Sequence, residues 1–201
     1  SHSDPTRSAT AHGFLTVAAY QSLGRIGVML GSIYFSISPG SSITIPILLQ
    51  NRGLKEDSFQ LNVEGIPADW ISTNSALTNL EPSKSKEIQL TIRAPHSSES
   101  TAGRMPFKIQ LTSQSFPEQK MEVECILTVS AFTEFSASLQ PEKIKAPEIC
   151  NIIVDNHGNI ADTYRLNFQG PADVLVFEKE VPVSKAGTPS QTEKTETAFV
   201  E

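Results

Sequence analysis

Along most of this chain apolar residues recur at every second position, and nowhere at the 3.6-residue spacing of a helix for more than a turn. In residues 43–50, "ITIPILLQ", Ile43, Ile45, Ile47 and Leu49 share one side while Thr44 and Pro46 fall on the other. A period of two marks a strand with one buried face. The same reading predicts a split first strand at residues 26–30 and 33–38, a third at 57–65 and another at 87–93. Two long strands follow at 103–115 and 119–132, and the stretch after Gly65 reads as an irregular crossing. Short strands punctuated by turn signals every 8–12 residues or so predict an immunoglobulin-like β-sandwich.

The pattern then repeats. "NRGLKEDSFQLNVEG" at 51–65 returns as "NHGNIADTYRLNFQG" at 156–170, without a gap and 105 positions later. Asn51 and Gly53 match Asn156 and Gly158; Asp57, Phe59, Leu61 and Asn62 match Asp162, Tyr164, Leu166 and Asn167. Both copies read as strand, Asn-x-Gly turn, strand. The Asn/Gly pair is expected to supply positive-φ positions, which makes Asn51, Gly53, Asn156 and Gly158 structural candidates. Two such phrases in register predict an all-β chain of two tandem immunoglobulin-like sandwiches. The division expected is a disordered tail or linker at 1–23, a sandwich at 24–131 and a second, truncated one at 132–201. That second copy runs out two strands early, so the expectation is either a fragment of a longer multi-repeat protein or an open sheet edge to which a partner supplies the missing strands.

The residues also carry a family resemblance. "SPGSSITIPILLQNRG", "DSFQLNVEGIPADWI", "LEPSKSKEIQLTIRAP" and "AGRMPFKIQLTSQS" together resemble the bacterial NPCBM-associated (α-galactosidase-associated) immunoglobulin-like domain, over about residues 24–131. The G-x-P-x-x-W stretch ending at Trp70 and the S-P-G-S turn are its more specific marks. The resemblance implies a two-sheet, extracytoplasmic spacer or accessory module. One departure is the turn "EPSKS", which lacks the usual glycine.

Charge and candidate chemistry change this picture little. A net charge of −6 offers no basic field to a phosphate backbone, so nucleic acid is excluded as a partner. Arg25 and two glycines interrupt the only apolar run near the start, so no membrane span is expected. Parity in "MEVECILTV" points Cys125 into the first core, and Cys150 falls in step with Ile152 and Val154, pointing into the second. A disulfide between them is therefore not expected. Asp155, Asn159 and Asp162 could be calcium-like oxygen ligands, but the glycine between them is misplaced for an EF-hand loop and turn chemistry accounts for them better. His96 and His157 have no partner at zinc-ligand spacing. There is no nucleophile elbow and no phosphate loop, so no catalytic residue, metal or cofactor is assigned.

Trp70 has two readings: a structural cap over one end of the core, or an exposed platform for a sugar. The function expected is a non-catalytic structural or spacer module of a larger bacterial cell-surface protein, with neighbouring repeats or another protein as partner. Two alternatives stay open. One is an intracellular interaction scaffold, cytoplasmic in location; the other is an accessory carbohydrate-binding domain beside a glycosidase.

Overall fold

The computed structural model describes residues 24–140, 150–167, 178–185 and 196–198. The first copy comprises β1 (Ile26–Leu30), β2 (Tyr34–Ile37), β3 (Ser42–Asn51), β4 (Asp57–Glu64), β5 (Ile71–Thr73), β6 (Leu77–Leu80), β7 (Ser85–Arg93), β8 (Gly103–Ser113) and β9 (Lys120–Val129). They form two sheets, ordered β1-β3-β7-β5 and β2-β9-β8-β4-β6. All pairings are antiparallel except that of β2 with β9. The chain leaves one sheet after Leu30 and joins the other at Tyr34, so the first strand is split across the sandwich.

Alternation decides what fills the space between the sheets. Ile45, Ile47 and Leu49 of β3 and Ile88, Leu90 and Ile92 of β7 face Phe59, Ile109, Leu111 and Leu127 from the other sheet. Cys125 lies in this core as a free thiol. Burial pushes its pKa up to about 11, so it behaves as a small hydrophobe and not as a nucleophile. Two prolines fit the strands because their neighbours stop short. The β1 register ends at Ile47, one residue before Pro46 is reached, and the β4 register ends at Lys108 without reaching Pro106.

The crossing after Gly65 is more ordered than its sequence suggests. A 3-10 turn, Ala68–Trp70, leads into the short edge strands β5 and β6. Gly65 must be glycine: its φ is +91°, and a Cβ there would lie 2.6 Å from the Pro106 carbonyl oxygen. In "EPSKS", Ser83 adopts the left-handed conformation with φ 64° where a glycine would be at ease. Its amide donates to the Asn51 carbonyl at 2.8 Å, which anchors the turn.

The second copy repeats the frame. Its strands are β10 (Phe135–Gln140), β11 (Cys150–Asn156), β12 (Asp162–Asn167), β13 (Glu178–Val183) and β14 (Glu196–Ala198). Strand β11 lies between β10 and β14, as β3 lies between β1 and β7, and β12 pairs with β13 as β4 does with β6. Among the described residues no strand stands where β8 and β9 stand in the first copy. The orientation expected for the Cys150 side chain lies outside the described residues, as does the tail at 1–23.

Candidate functional site

The repeated Asn-x-Gly phrase proves to be a clamp, and its chemistry differs from the positive-φ turn expected of it. Neither Gly53 nor Gly158 has a positive φ. The asparagine does the work instead. Asn51 is buried at the end of β3; its Nδ2 donates to the carbonyls of Lys55 and Leu80, both at 2.8 Å, and its Oδ1 accepts from the Gly53 amide at 2.8 Å. Asn156 repeats the set: Nδ2 to Ile160 O at 2.8 Å and Val183 O at 3.4 Å, with Gly158 N to Oδ1 at 2.9 Å. One side chain thus satisfies three backbone groups that a turn would leave unpaired. Gly158 is needed for clearance, since a Cβ there would lie 2.7 Å from the Phe132 carbonyl oxygen.

Beside that clamp the two copies meet. Asn159, 0% exposed, donates from Nδ2 to the Ser100 carbonyl at 2.7 Å and the Ser130 carbonyl at 2.9 Å. Its Oδ1 accepts from the Phe132 amide at 2.8 Å. Lys185 extends from the second copy to the Ser98 carbonyl at 2.9 Å and to the Thr101 hydroxyl at 2.6 Å. From the first copy, His96 stacks on Phe132 with 4.3 Å between ring centroids, and its Nε2 lies 3.5 Å from Glu134. The loop after β7, the connection after β9 and the turn after β11 therefore close into one polar joint.

The other candidates fall into place around it. Asn159 is spent on the joint, Asp155 is exposed, and Asp162 accepts from the Thr163 amide at 2.8 Å. Among the described residues no three His, Cys, Asp or Glu side chains come together as metal ligands. His157 bonds the Ser136 hydroxyl at 2.9 Å. Trp70 is 4% exposed at the end of its 3-10 turn, so it offers no face to a sugar, and the platform reading fails on burial. The joint itself was missed in the sequence. Its one trace there is Asn159 in place of Leu54, which is only one of nine differences between the two 15-residue phrases.

Elsewhere a shallow hollow of about 580 Å³ lies against the outer side of β2, β8 and β9. Tyr34, Pro106 and Ile126 form its apolar row, beside Glu64, Lys108 and Glu124. No described helix is long and apolar enough to cross a membrane.

No family model matches the chain. No curated protein matches it either. Solved structures do. The ASH/PapD-like domain 7 of human CEP192 is similar at 13% identity and a TM-score of 0.37, covering 61% of this chain and 96% of that one. SSP-19, an MSP-domain protein-like family member of Caenorhabditis elegans, is similar at 14% identity and a TM-score of 0.34, covering 47% and 94%. The class 5 fimbriae chaperone CfaA is similar at 14% identity and a TM-score of 0.35, covering 79% and 83%. The chain's own sheets make it an all-β protein with an immunoglobulin-like sandwich.

Proposed function

We propose that this chain is a non-catalytic structural module in which immunoglobulin-like sandwiches are fixed end to end, part of a larger bacterial cell-surface protein. The observation that carries the reading is Asn159, buried between the copies with three hydrogen bonds to backbone groups of the joint. A flexible tether would need no buried asparagine, and a buried amide left without partners costs about 1–3 kcal/mol. Directional bonds to carbonyls fix an angle as well as a contact, which suits a spacer that holds its neighbours at a set distance. The extracytoplasmic placement rests on the family resemblance carried by "SPGSSITIPILLQNRG" and "DSFQLNVEGIPADWI".

The test is Asn159→Ala in the full chain, read by residual dipolar couplings on the two copies. A single alignment tensor is expected for the native chain, and two for the variant, with the first sandwich still folded. Independent tensors in the native chain would refute the rigid spacer. Fractionation of the source cells tests location: a cytoplasmic pool would favour the interaction scaffold instead.

A further inference from the structure

Outward positions of β9 are Glu122, Glu124, Ile126 and Thr128, and those of β8 are Arg104, Pro106, Lys108 and Gln110. The two apolar exceptions, Ile126 and Pro106, are register partners, and Tyr34 of β2 flanks Ile126 on its other side. Three apolar side chains thus stand in one row across three strands, with Tyr34 64% exposed. Single apolar residues scattered on a surface are ordinary; three in register on a polar face are a built feature. The next row along the strands is Glu124, Lys108 and Glu64, again register partners. The hollow of about 580 Å³ lies between the two rows. Phe107 and Cys125 form its floor, with their side chains turned into the core.

The charged row is not neutral. Lys108 turns to Glu122, 3.3 Å from its carboxylate, so it does not serve Glu64 and Glu124 alone. Among the described residues neither of those two glutamates forms an ion pair. Arg104 stands beyond Pro106 on the far side of the apolar row, so charge changes sign across it. Strand addition is closed off at the neighbouring sheet edge. The Ser32 hydroxyl accepts from the Tyr34 amide at 3.0 Å and donates to the Tyr34 carbonyl at 2.9 Å, leaving neither group for an incoming strand. An occupant of the hollow is therefore read by side chains.

We propose that this hollow binds an extended segment of another protein in which apolar and basic residues alternate. Successive side chains of an extended chain point to opposite sides. A segment lying across the strands between the rows turns one set to Tyr34, Ile126 and Pro106, and the other to Glu124 and Glu64. The dimensions agree. Strands lie about 4.8 Å apart, so each row spans about 10 Å, and alternate residues of an extended chain are about 7 Å apart. Two apolar side chains cover the first row, and two lysines or arginines reach both carboxylates. The net charge of −6 also draws a basic partner and repels a second copy of this chain. This gives the module a recognition face besides its spacing role, and it is independent of the joint at Asn159.

Titration of the full chain with acetyl-Val-Lys-Val-Lys-Val-amide, followed by amide NMR shifts, tests this. The control is its isomer acetyl-Lys-Lys-Val-Val-Val-amide, equal in charge and composition but without alternation. The alternating peptide should give saturable shifts at residues 33–34, 107–108 and 124–126 and bind about fivefold tighter than the isomer, since only it satisfies both rows at once. Glu64→Gln with Glu124→Gln should weaken it about three- to tenfold, the size expected of two exposed ion pairs. Ile126→Thr should weaken it about fourfold, through lost apolar contact. Both variants change outward side chains, and their denaturation midpoints check that the sandwich is intact. Equal affinity of the two isomers, shifts spread over other acidic surfaces, or no saturable shift at millimolar peptide would overturn the proposal. So would shifts of the same amides with protein concentration alone, which would make this face a contact between copies.

Discussion

The two copies share a frame and differ at its ends. Asn51 and Asn156 make the same three bonds to the same backbone positions, and Asp57 and Asp162 both cap the start of the next strand. Yet position 54 is an exposed leucine and its counterpart 159 a buried asparagine. What is repeated is what the fold needs, and position 54 takes no part in the clamp, so the frame leaves its residue type open. Core residues show a milder divergence: Phe59 is fully buried in the first copy, while Tyr164 in its place is partly exposed.

That contrast is broken most strongly by truncating the ring. Phe59→Ala should cost about 3–5 kcal/mol, the range for losing a buried aromatic side chain. Tyr164→Ala should cost roughly half as much, since less of its surface leaves water. Denaturant unfolding followed by amide exchange in each copy separates the two effects. Equal losses would mean that the cores are equally packed. Asparagine removal comes next. Asn51→Ala strands three backbone groups, two of them carbonyls held at 2.8 Å, and should cost about 2–4 kcal/mol. Asn156→Ala should cost about 1–2 kcal/mol, because its bond to Val183 is long at 3.4 Å.

These contrasts mark how much could be read from residue order alone. Period-two alternation located the strands of the first sandwich because each buries one face, and the repeated phrase marked a second stretch with matching strand pairings. Strands β5 and β6 escaped because three or four residues at a sheet edge are too few to show a period. The Asn-x-Gly phrase was visible, but its reason was misjudged. Residue type suggested turn conformation, whereas the asparagine acts through partners such as Leu80, 29 residues away. The joint was invisible for the same cause. Asn159 bonds Ser100 across 59 residues, and no local pattern encodes a carbonyl that distant.

The next contrast is read in pH. Burial opposes ionisation of Asp57, but hydrogen bonds from Ser113, Ser115 and Ser58 together outweigh it and hold its pKa below the usual carboxylate value. Because the folded pKa is the lower one, this stabilisation is complete above the unfolded pKa and is lost as pH falls through the folded value. Asp162 keeps only the bond from Thr163 among the described residues. Thermal midpoints of the first copy should therefore drop on acidification, and Asp57→Asn should flatten that drop while lowering the midpoint at neutral pH. An unchanged acid profile in the variant would assign the sensitivity to another group.

The smallest expected effect has the opposite sign. The Tyr164 hydroxyl is shut off from solvent and has no hydrogen-bond partner among the described residues. Burial, with the Asp162 charge adding to it, pushes its pKa up, so it stays protonated and offers a donor that nothing accepts. Removing an unsatisfied buried group returns part of a penalty of about 1–3 kcal/mol. The ring keeps its own role, tilted against Phe135 at a centroid distance of 4.7 Å. Tyr164→Phe recreates what the first copy already has at Phe59 and should stabilise the second copy by about 1 kcal/mol. The reciprocal change, Phe59→Tyr, places a hydroxyl in a core with no acceptor and should destabilise the first copy by a similar amount or more. Amide exchange in β11 and β12 reads the first change, and the denaturation midpoint of the first sandwich reads the second. If Tyr164→Phe weakens the second copy, the hydroxyl is bonded in solution, and the tyrosine is then a specific feature of that copy and not an imperfect version of Phe59.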